Sequence, residues 1–304
     1  MIRARLSGHY RDDARYPAAI VNITNRCNLS CRHCFVFREA NPNEAPESIR
    51  DELGDAEVLE TLAGLRDRHG ITTMLWMGGE PLLRPRLLAE GVRLFPRNTI
   101  TTNGTAPLID FGPGVLYVVS LDGPEDLNDA LRGDGVFRRV MRNLSRIPEG
   151  FSSPVQAQCV VTRRNEKRLE ELVCALRQTR VGWMTFSFYV PRAIDSGLDA
   201  WTTNEERSQA VAEVRRLKEK YSGFVRNTSR SLDLMLPPDA ERVTAACPAR
   251  DHILPLYLEG DHFTTPFCCY GNDVDCARCG AWIVFHLAAR MESARAAEEA
   301  TAHA

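Results

Sequence analysis

Short apolar, β-branched runs alternate along this chain with longer stretches whose apolar residues recur at helical spacing. "AAIVNIT" (18–24) reads as a strand running into a polar loop, and residues 47–69 then place Leu53, Val58, Leu59, Leu62 and Leu65 at helical spacing. "TTMLWMGGEP" (72–81) is a strand ending in two glycines, followed by a helix over 84–95. The alternation continues through strands "NTITTNG" (98–104) and "GVLYVVSLDGP" (114–124), then a helical stretch 125–147 with a turn at "RGDG". Strand "VQAQCVVTRRN" (155–165), helix 166–179 and strand "GWMTFSFYVP" (182–191) complete the series. The strand cores are nearly continuous in apolar residues, as expected of strands covered on both faces. The expected fold class is α/β, with parallel strands joined by right-handed crossovers and a ligand site at the strands' C-terminal ends.

Those ends are unusually polar: a cysteine loop after the first strand, Gly78-Gly79-Glu80-Pro81 after the second, Thr102-Asn103-Gly104 after the third and Ser120-Leu121-Asp122-Gly123 after the fourth. Trp76, Phe186, Phe188 and Tyr189 are candidates to line the ligand end of the strands, but the alternation of Phe186 and Phe188 is read as core packing on one strand face, and no substrate role is assigned to any of the four. After Pro191 the pattern changes. "DSGLDAWTTNEERSQ" reads as a connection leading to a helix that ends near Tyr221 and is capped by Thr203 or Asn204. Residues 236–282 are rich in Pro, Gly, Asp and Cys and predict a small, loop-rich module with a hairpin turn at Gly260-Asp261. The Ala/Glu-rich end, 287–304, reads as a helix that frays. The expected division is an N-terminal extension 1–16, an α/β unit 17–200, and a linker helix, cysteine-rich module and terminal helix over 201–304.

Composition adds constraints. Of 304 residues, 44% are hydrophobic and 26% charged, with a formal net charge of −2. This is ordinary for a soluble globular protein and gives no basic field for nucleic acid or an anionic membrane. The N-terminus has no apolar stretch before Asp12 and Asp13, so no signal peptide is expected, and no apolar run reaches the roughly 20 residues of a membrane helix. The expected location is the cytoplasm, where ten cysteines point to metal or redox chemistry rather than to a disulfide framework. Three lie at 27–34 and five at 247–279; Cys159 and Cys174, in apolar surroundings, are read as small buried hydrophobes.

"RCNLSCRHC" (26–34) spaces Cys27, Cys31 and Cys34 by three residues and then two. Structural zinc wants four closed ligands, and His33 is too near Cys34 in sequence to join it easily on one ion. A 4Fe-4S cluster held by three thiolates instead leaves one iron open, and an open position marks chemistry rather than scaffolding. Arg26, Arg32 and the loop amides are expected to offset the thiolate charge.

The Cys27-x3-Cys31-x2-Cys34 triad directly after a strand resembles the signature of the radical S-adenosylmethionine (SAM) superfamily. The motifs that follow resemble that family's in order: "GGEP" (78–81), "TTNG" (101–104), "SLDG" (120–123) and "VVTRRN" (160–165). The resemblance spans about residues 17–191 and implies a partial (β/α)6 TIM-type barrel. It further implies a 4Fe-4S cluster whose open iron is chelated by SAM, and reductive cleavage of SAM to a 5′-deoxyadenosyl radical. By the same resemblance, Gly78, Gly79 and Glu80 shape the site of the SAM amino group, Ser120 and Asp122 reach its carboxylate or ribose, and His33 contacts adenine. Asn103 and Asn165 are the other implied SAM-site positions, and an external flavodoxin or ferredoxin is the implied reductant. The Gly-rich motif that many members carry on the fifth or sixth strand is missing from "FSFYVPR", where Tyr189, Val190 or Pro191 stands in its place.

Cys247, Cys268, Cys269, Cys276 and Cys279 offer enough thiolates to ligate one further cluster. They resemble the SPASM and twitch extensions that bind auxiliary 4Fe-4S clusters in this superfamily, and only one of the vicinal pair Cys268/Cys269 is needed. Zinc, or no metal at all, stays open. His252, His262 and His286 are read as surface or packing residues. The expected substrate is a peptide or natural-product intermediate, against small-metabolite rearrangement, oxidation or adenosyl transfer, or a non-catalytic iron–sulfur or zinc module.

Overall fold

The computed structural model describes residues 6–36, 52–193 and 199–302. The first five residues of the expected N-terminal extension, positions 47–51 of the first expected helix, 194–198 of the expected connection and the last two residues of the terminal helix lie outside the described residues. Nine strands are described: β1 (Leu6–Gly8), β2 (Ala18–Asn22), β3 (Thr73–Met77), β4 (Arg97–Thr102), β5 (Val115–Ser120), β6 (Val155–Val161), β7 (Trp183–Phe188), β8 (Ile253–Glu259) and β9 (His262–Thr265).

Strands β2 to β7 pair in chain order, each parallel to the next, forming the open six-stranded array of a partial TIM-type barrel. The continuous apolar runs have the expected cause. In β2 every residue from Ala19 to Asn22 is buried, and in β7 every residue from Met184 to Phe188. Trp76, Phe186 and Phe188 are core, and the Trp76 indole donates to Asn98 Oδ1 at 2.9 Å.

The first helices, α1 (Asp55–His69), α2 (Pro85–Gly91), α3 (Glu125–Arg132), α4 (Val136–Ser145) and α5 (Leu169–Leu176), fill the crossovers. The expected 125–147 helix is divided into α3 and α4 by the predicted "RGDG" turn. On α5, Leu169, Leu172, Val173 and Leu176 share the buried face, so Cys174 falls on the other side. The expectation that Cys174 is buried is therefore corrected: it is exposed, with its Sγ 3.3 Å from the Tyr221 hydroxyl. Cys159 is fully buried, as expected.

Beyond the array, α6 (Asn204–Lys220) is capped by Thr203, whose hydroxyl accepts from Glu206 N. Short helices α7 (Ser229–Asp233), α8 (Asp239–Ala245) and α9 (Pro248–His252) lead to β8 and β9, which turn at Gly260-Asp261 as predicted. This hairpin continues the barrel sheet. Strand β8 pairs parallel with β2, and β1 pairs parallel with β9, giving the order β1-β9-β8-β2-β3-β4-β5-β6-β7. The last helix, α10 (Trp282–Ala302), begins five residues earlier than expected, because Val284, Phe285 and Ala289 are buried in the core beneath it. No described helix is long and apolar enough to cross a membrane.

Candidate functional site

The cysteine loop leaves the end of β2 and lies against the turn after β3. Ile23 N donates to Met77 O at 2.9 Å, Gly79 N to Thr24 O at 2.7 Å and Glu80 N to Arg26 O at 2.8 Å. This close approach is what the two glycines permit. A Cβ at Gly79 would stand 2.2 Å from the Arg26 carbonyl oxygen, and one at Gly78 2.6 Å from that of Thr24. The Gly78-Gly79 pair thus shapes the cysteine loop first.

Glu80 ties this turn to the next. Its buried carboxylate accepts from Leu82 N at 3.1 Å, the Thr102 hydroxyl at 2.7 Å and Asn103 N at 2.8 Å. Burial pushes the Glu80 carboxyl upward, and these three donors oppose the shift. Asn103 in turn reaches the cysteine loop: its Nδ2 donates to Asn28 Oδ1 at 2.9 Å and lies 3.9 Å from Cys27 Sγ. Adjacent strand ends therefore fix the loop by hydrogen bonds through residues 80 and 103.

On the other side stands Asp122, with no exposed surface. Its Oδ2 accepts from Arg132 Nε at 2.7 Å and lies 3.0 Å from His33 Nε2, while Oδ1 accepts from Val160 N at 3.0 Å. Burial opposes ionisation of this carboxyl, but Arg132 and His33 outweigh it and hold it below the ordinary range. Asn165 closes the same corner, donating to the Asp122 and Val160 carbonyls at 2.8 Å each. Ser120 is the half-buried last residue of β5. Asp122 and Asn165 thus act first on neighbouring protein groups. Among the described residues, His33 Nδ1 is buried without a hydrogen-bond partner, and so is Asn22 Oδ1 at the end of β2. An orphaned ring nitrogen next to Cys34 is what a bound polar cofactor would satisfy.

Cys27, Cys31 and Cys34 lie in mutual electrostatic reach. Burial pushes the Cys27 thiol up to about 12 and raises that of Cys31, where Arg132 pulls the other way. The cation facing Cys31 is therefore Arg132, from the end of α3. The expected Arg26 and Arg32 are exposed, and Arg26 pairs with Glu52 at 3.6 Å. The sequence reading missed Arg132. The available signal was its place as the first residue of "RGDG", ten positions after Asp122.

The second cysteine group assembles around the far end of β7. Cys247 caps α9, Cys268 and Cys269 follow β9, Cys276 opens a 3₁₀ turn and Cys279 closes it. All five line one cavity of about 580 Å³, together with Val190, which follows β7. Among the described residues, no three His, Cys, Asp or Glu side chains converge on a single-ion point. Cys268 lies in electrostatic reach of Cys247, Cys276 and Cys279, whose thiols burial pushes up. The end of β7, which lacks the Gly-rich motif, receives this segment instead. Phe188 N donates to Gly280 O at 2.8 Å and Asp275 N to Pro191 O at 2.9 Å. The two cysteine regions meet where the Phe35 and Tyr270 rings lie 4.9 Å apart.

The geometry agrees with the comparisons. The Radical SAM superfamily model matches residues 21–176, half of the chain. Pre-heme d1 synthase of Dinoroseobacter shibae is 32% identical over 52% of this chain and 39% of its own length. Mycofactocin maturase MftC of Mycobacterium tuberculosis is 28% identical over 59% of this chain and 46% of its own. Among solved structures, SuiB of Streptococcus suis bound to precursor peptide SuiA superposes with a TM-score of 0.63 at 15% identity, covering 90% of this chain and 65% of that one. The chain spans less than half the length of these two curated relatives.

Proposed function

This chain belongs to the radical SAM superfamily and is a radical SAM enzyme; we propose that it acts by hydrogen abstraction from a peptide, with a second iron–sulfur cluster held by its C-terminal cysteines. The family implies a 4Fe-4S cluster and SAM, which when bound supply a 5′-deoxyadenosyl radical. In this reading Cys27, Cys31 and Cys34 hold the cluster, and Gly78, Gly79, Glu80 and Asn103 keep their loop in ligating shape. Asp122 orients His33 so that the unpartnered Nδ1 faces SAM, and Ser120 and Asn165 complete that wall. The observation that carries the reading is the three-thiol loop clamped by the Gly78-Gly79-Glu80 turn, with a buried ring nitrogen next to Cys34 that has no partner among the described residues.

The four further ligands in this reading are Cys247, Cys268, Cys276 and Cys279. Support comes from the cavity that all five cysteines line and from the reach of Cys268 to the other three. A peptide substrate is supported by the likeness to a maturase and to the SuiB complex with its precursor peptide. A tetrapyrrole-class small molecule is the second reading, favoured by the 32% identity to pre-heme d1 synthase. A flavodoxin or ferredoxin supplies the electron in either case.

Anaerobic reconstitution with SAM and dithionite tests the reading. Iron, electron paramagnetic resonance and 5′-deoxyadenosine are measured together; a cluster-replete protein that releases no deoxyadenosine rejects it. Cys268→Ser should lose the second cluster's iron, while Cys269→Ser keeps it. A short peptide encoded beside the gene for this chain should raise deoxyadenosine formation and change in mass. If a porphyrinogen does so and the peptide does not, the second reading stands.

A further inference from the structure

Arg207 lies on the core-facing stripe of α6, in line with Ala210, Val211, Val214 and Leu217, and is 2% exposed. Among the described residues, its guanidinium makes hydrogen bonds to carbonyls alone. Nη1 donates to Arg278 O at 3.1 Å and Cys279 O at 2.8 Å, and Nη2 to Met235 O at 3.2 Å. Nε is buried without a partner. Glu241 is in electrostatic reach, but takes its hydrogen bond from Asn204. The Phe285 ring lies 5.9 Å from the guanidinium carbon.

A guanidinium cannot shed its charge in a protein, and burying one without an anion costs several kcal/mol. Two of its three acceptors belong to the Cys276–Cys279 turn, and Asn204, one helical turn earlier, donates to the Ala277 carbonyl at 2.9 Å. The start of α6 is thus a clamp on that turn; Glu241 offsets the charge from a distance, and an anionic group on the neighbouring thiols would offset it further. A 4Fe-4S cluster with four thiolates is net anionic and becomes more so on reduction, and nearby positive charge favours the reduced form.

We propose that Arg207 is the buried counter-charge of the iron–sulfur cluster held by Cys247, Cys268, Cys276 and Cys279, where it raises that cluster's reduction potential. The inference rests on the reading that these thiols carry iron. It makes Arg207 a positioning and potential-setting residue, not a catalytic one. A clamp acting through hydrogen bonds alone would change stability and leave the potential untouched, which separates the two accounts.

The experiment uses the full chain with Cys27, Cys31 and Cys34 replaced by alanine, so that only the second cluster contributes. Reconstituted iron and the paramagnetic signal establish first that the cluster is present. No iron in this parent, or zinc alone, rejects the cluster reading itself and the counter-charge with it. With iron present, Arg207→Gln should shift the oxidised-to-reduced ratio about tenfold toward oxidised, about 59 mV lower for a one-electron couple. Arg207→Lys, which keeps the charge, should hold the parent potential. An unchanged potential in iron-loaded Arg207→Gln overturns the proposal, as does a Lys variant that falls as far as Gln. If Arg207→Gln cannot hold iron, the Lys variant decides: iron with the parent potential supports the counter-charge. Iron loss in both variants assigns Arg207 to packing and overturns it.

Discussion

The two cysteine regions each have a buried arginine beside them, and the arginines are balanced differently. Arg132 faces Cys31 and gives its Nε to the Asp122 carboxylate at 2.7 Å. Arg207 bonds the Cys279 carbonyl and has no carboxylate within ion-pair distance among the described residues. The arginine of the first region is therefore paired within the protein, and the thiols there lie in one short loop fixed by neighbouring strand ends. The second is drawn from α9, the segment after β9 and a 3₁₀ turn, and its buried arginine is bonded to carbonyl oxygens, with Glu241 only in electrostatic reach. A site built from one loop can pair its arginine with a carboxylate from the neighbouring strand end, whereas one gathered from distant segments meets its arginine mainly with backbone carbonyls.

The largest effect that can break this contrast comes from the Asp122 carboxylate. Asp122→Ala leaves Arg132 buried and unpaired, and should cost about 3–5 kcal/mol. Urea unfolding of the iron-free protein measures it. Arg207→Met, an apolar replacement of similar volume, should cost far less in the same iron-free protein, because the charge it removes is bonded to carbonyl oxygens. Equal losses in the two variants would show that both arginines are balanced alike.

A smaller effect separates the two regions by their glycines. A Cβ at Gly79 would stand 2.2 Å from the Arg26 carbonyl oxygen, and one at Gly280 would stand 2.5 Å from Phe188 Cβ. Each alanine substitution overpacks a tight contact and should cost about 1–3 kcal/mol. The consequences should divide by region. Gly79→Ala should lower SAM cleavage and iron at the Cys27 loop; Gly280→Ala should lower iron at the second site and leave the first site's signal intact. Loss of both signals in either variant would mean that the regions are one cooperative unit.

The first region was legible because its information is local. Cys27, Cys31 and Cys34 lie within eight positions, and each polar motif follows a strand whose apolar run marks it. Parallel pairing in chain order then brings Gly79, Glu80, Asn103 and Asp122 to one end of the sheet without further information. Side-chain direction was not legible. Asp122 and Asn165 read as SAM contacts; the Asp122 carboxylate meets Arg132, His33 and Val160 N, and Asn165 Nδ2 donates to the Asp122 and Val160 carbonyls. Arg132 carried only a weak signal, because its significance lies in a contact between α3 and the segment after β5. The second region was legible only as a cluster of cysteines. Its placement depends on β8 joining the β2 edge and on Gly280 docking against Phe188, contacts between segments far apart in sequence. Arg207 did carry a signal, a charge on an otherwise apolar helical stripe.

The two cysteines outside both regions give the smallest effect and test whether the grouping is complete. Cys159 on β6 is fully buried, and Asn165 Nδ2 lies 3.9 Å from its sulfur. Cys174 is exposed on α5, 3.3 Å from the Tyr221 hydroxyl. Neither faces the thiols of either group, so replacing either should leave iron content and SAM cleavage at the parent level. Cys159→Ala removes a packed sulfur and should cost about 1–2 kcal/mol by the cavity it leaves. Cys174→Ala trades one exposed hydrogen bond for solvent and should stay within about 0.5 kcal/mol. On the folded, iron-loaded protein, iodoacetamide should label Cys174 before any other thiol, because the remaining nine are buried, half-buried or committed to iron. Labelling at Cys268 ahead of Cys174 would show that the 580 Å³ cavity holds free thiols and that the second region carries no cluster.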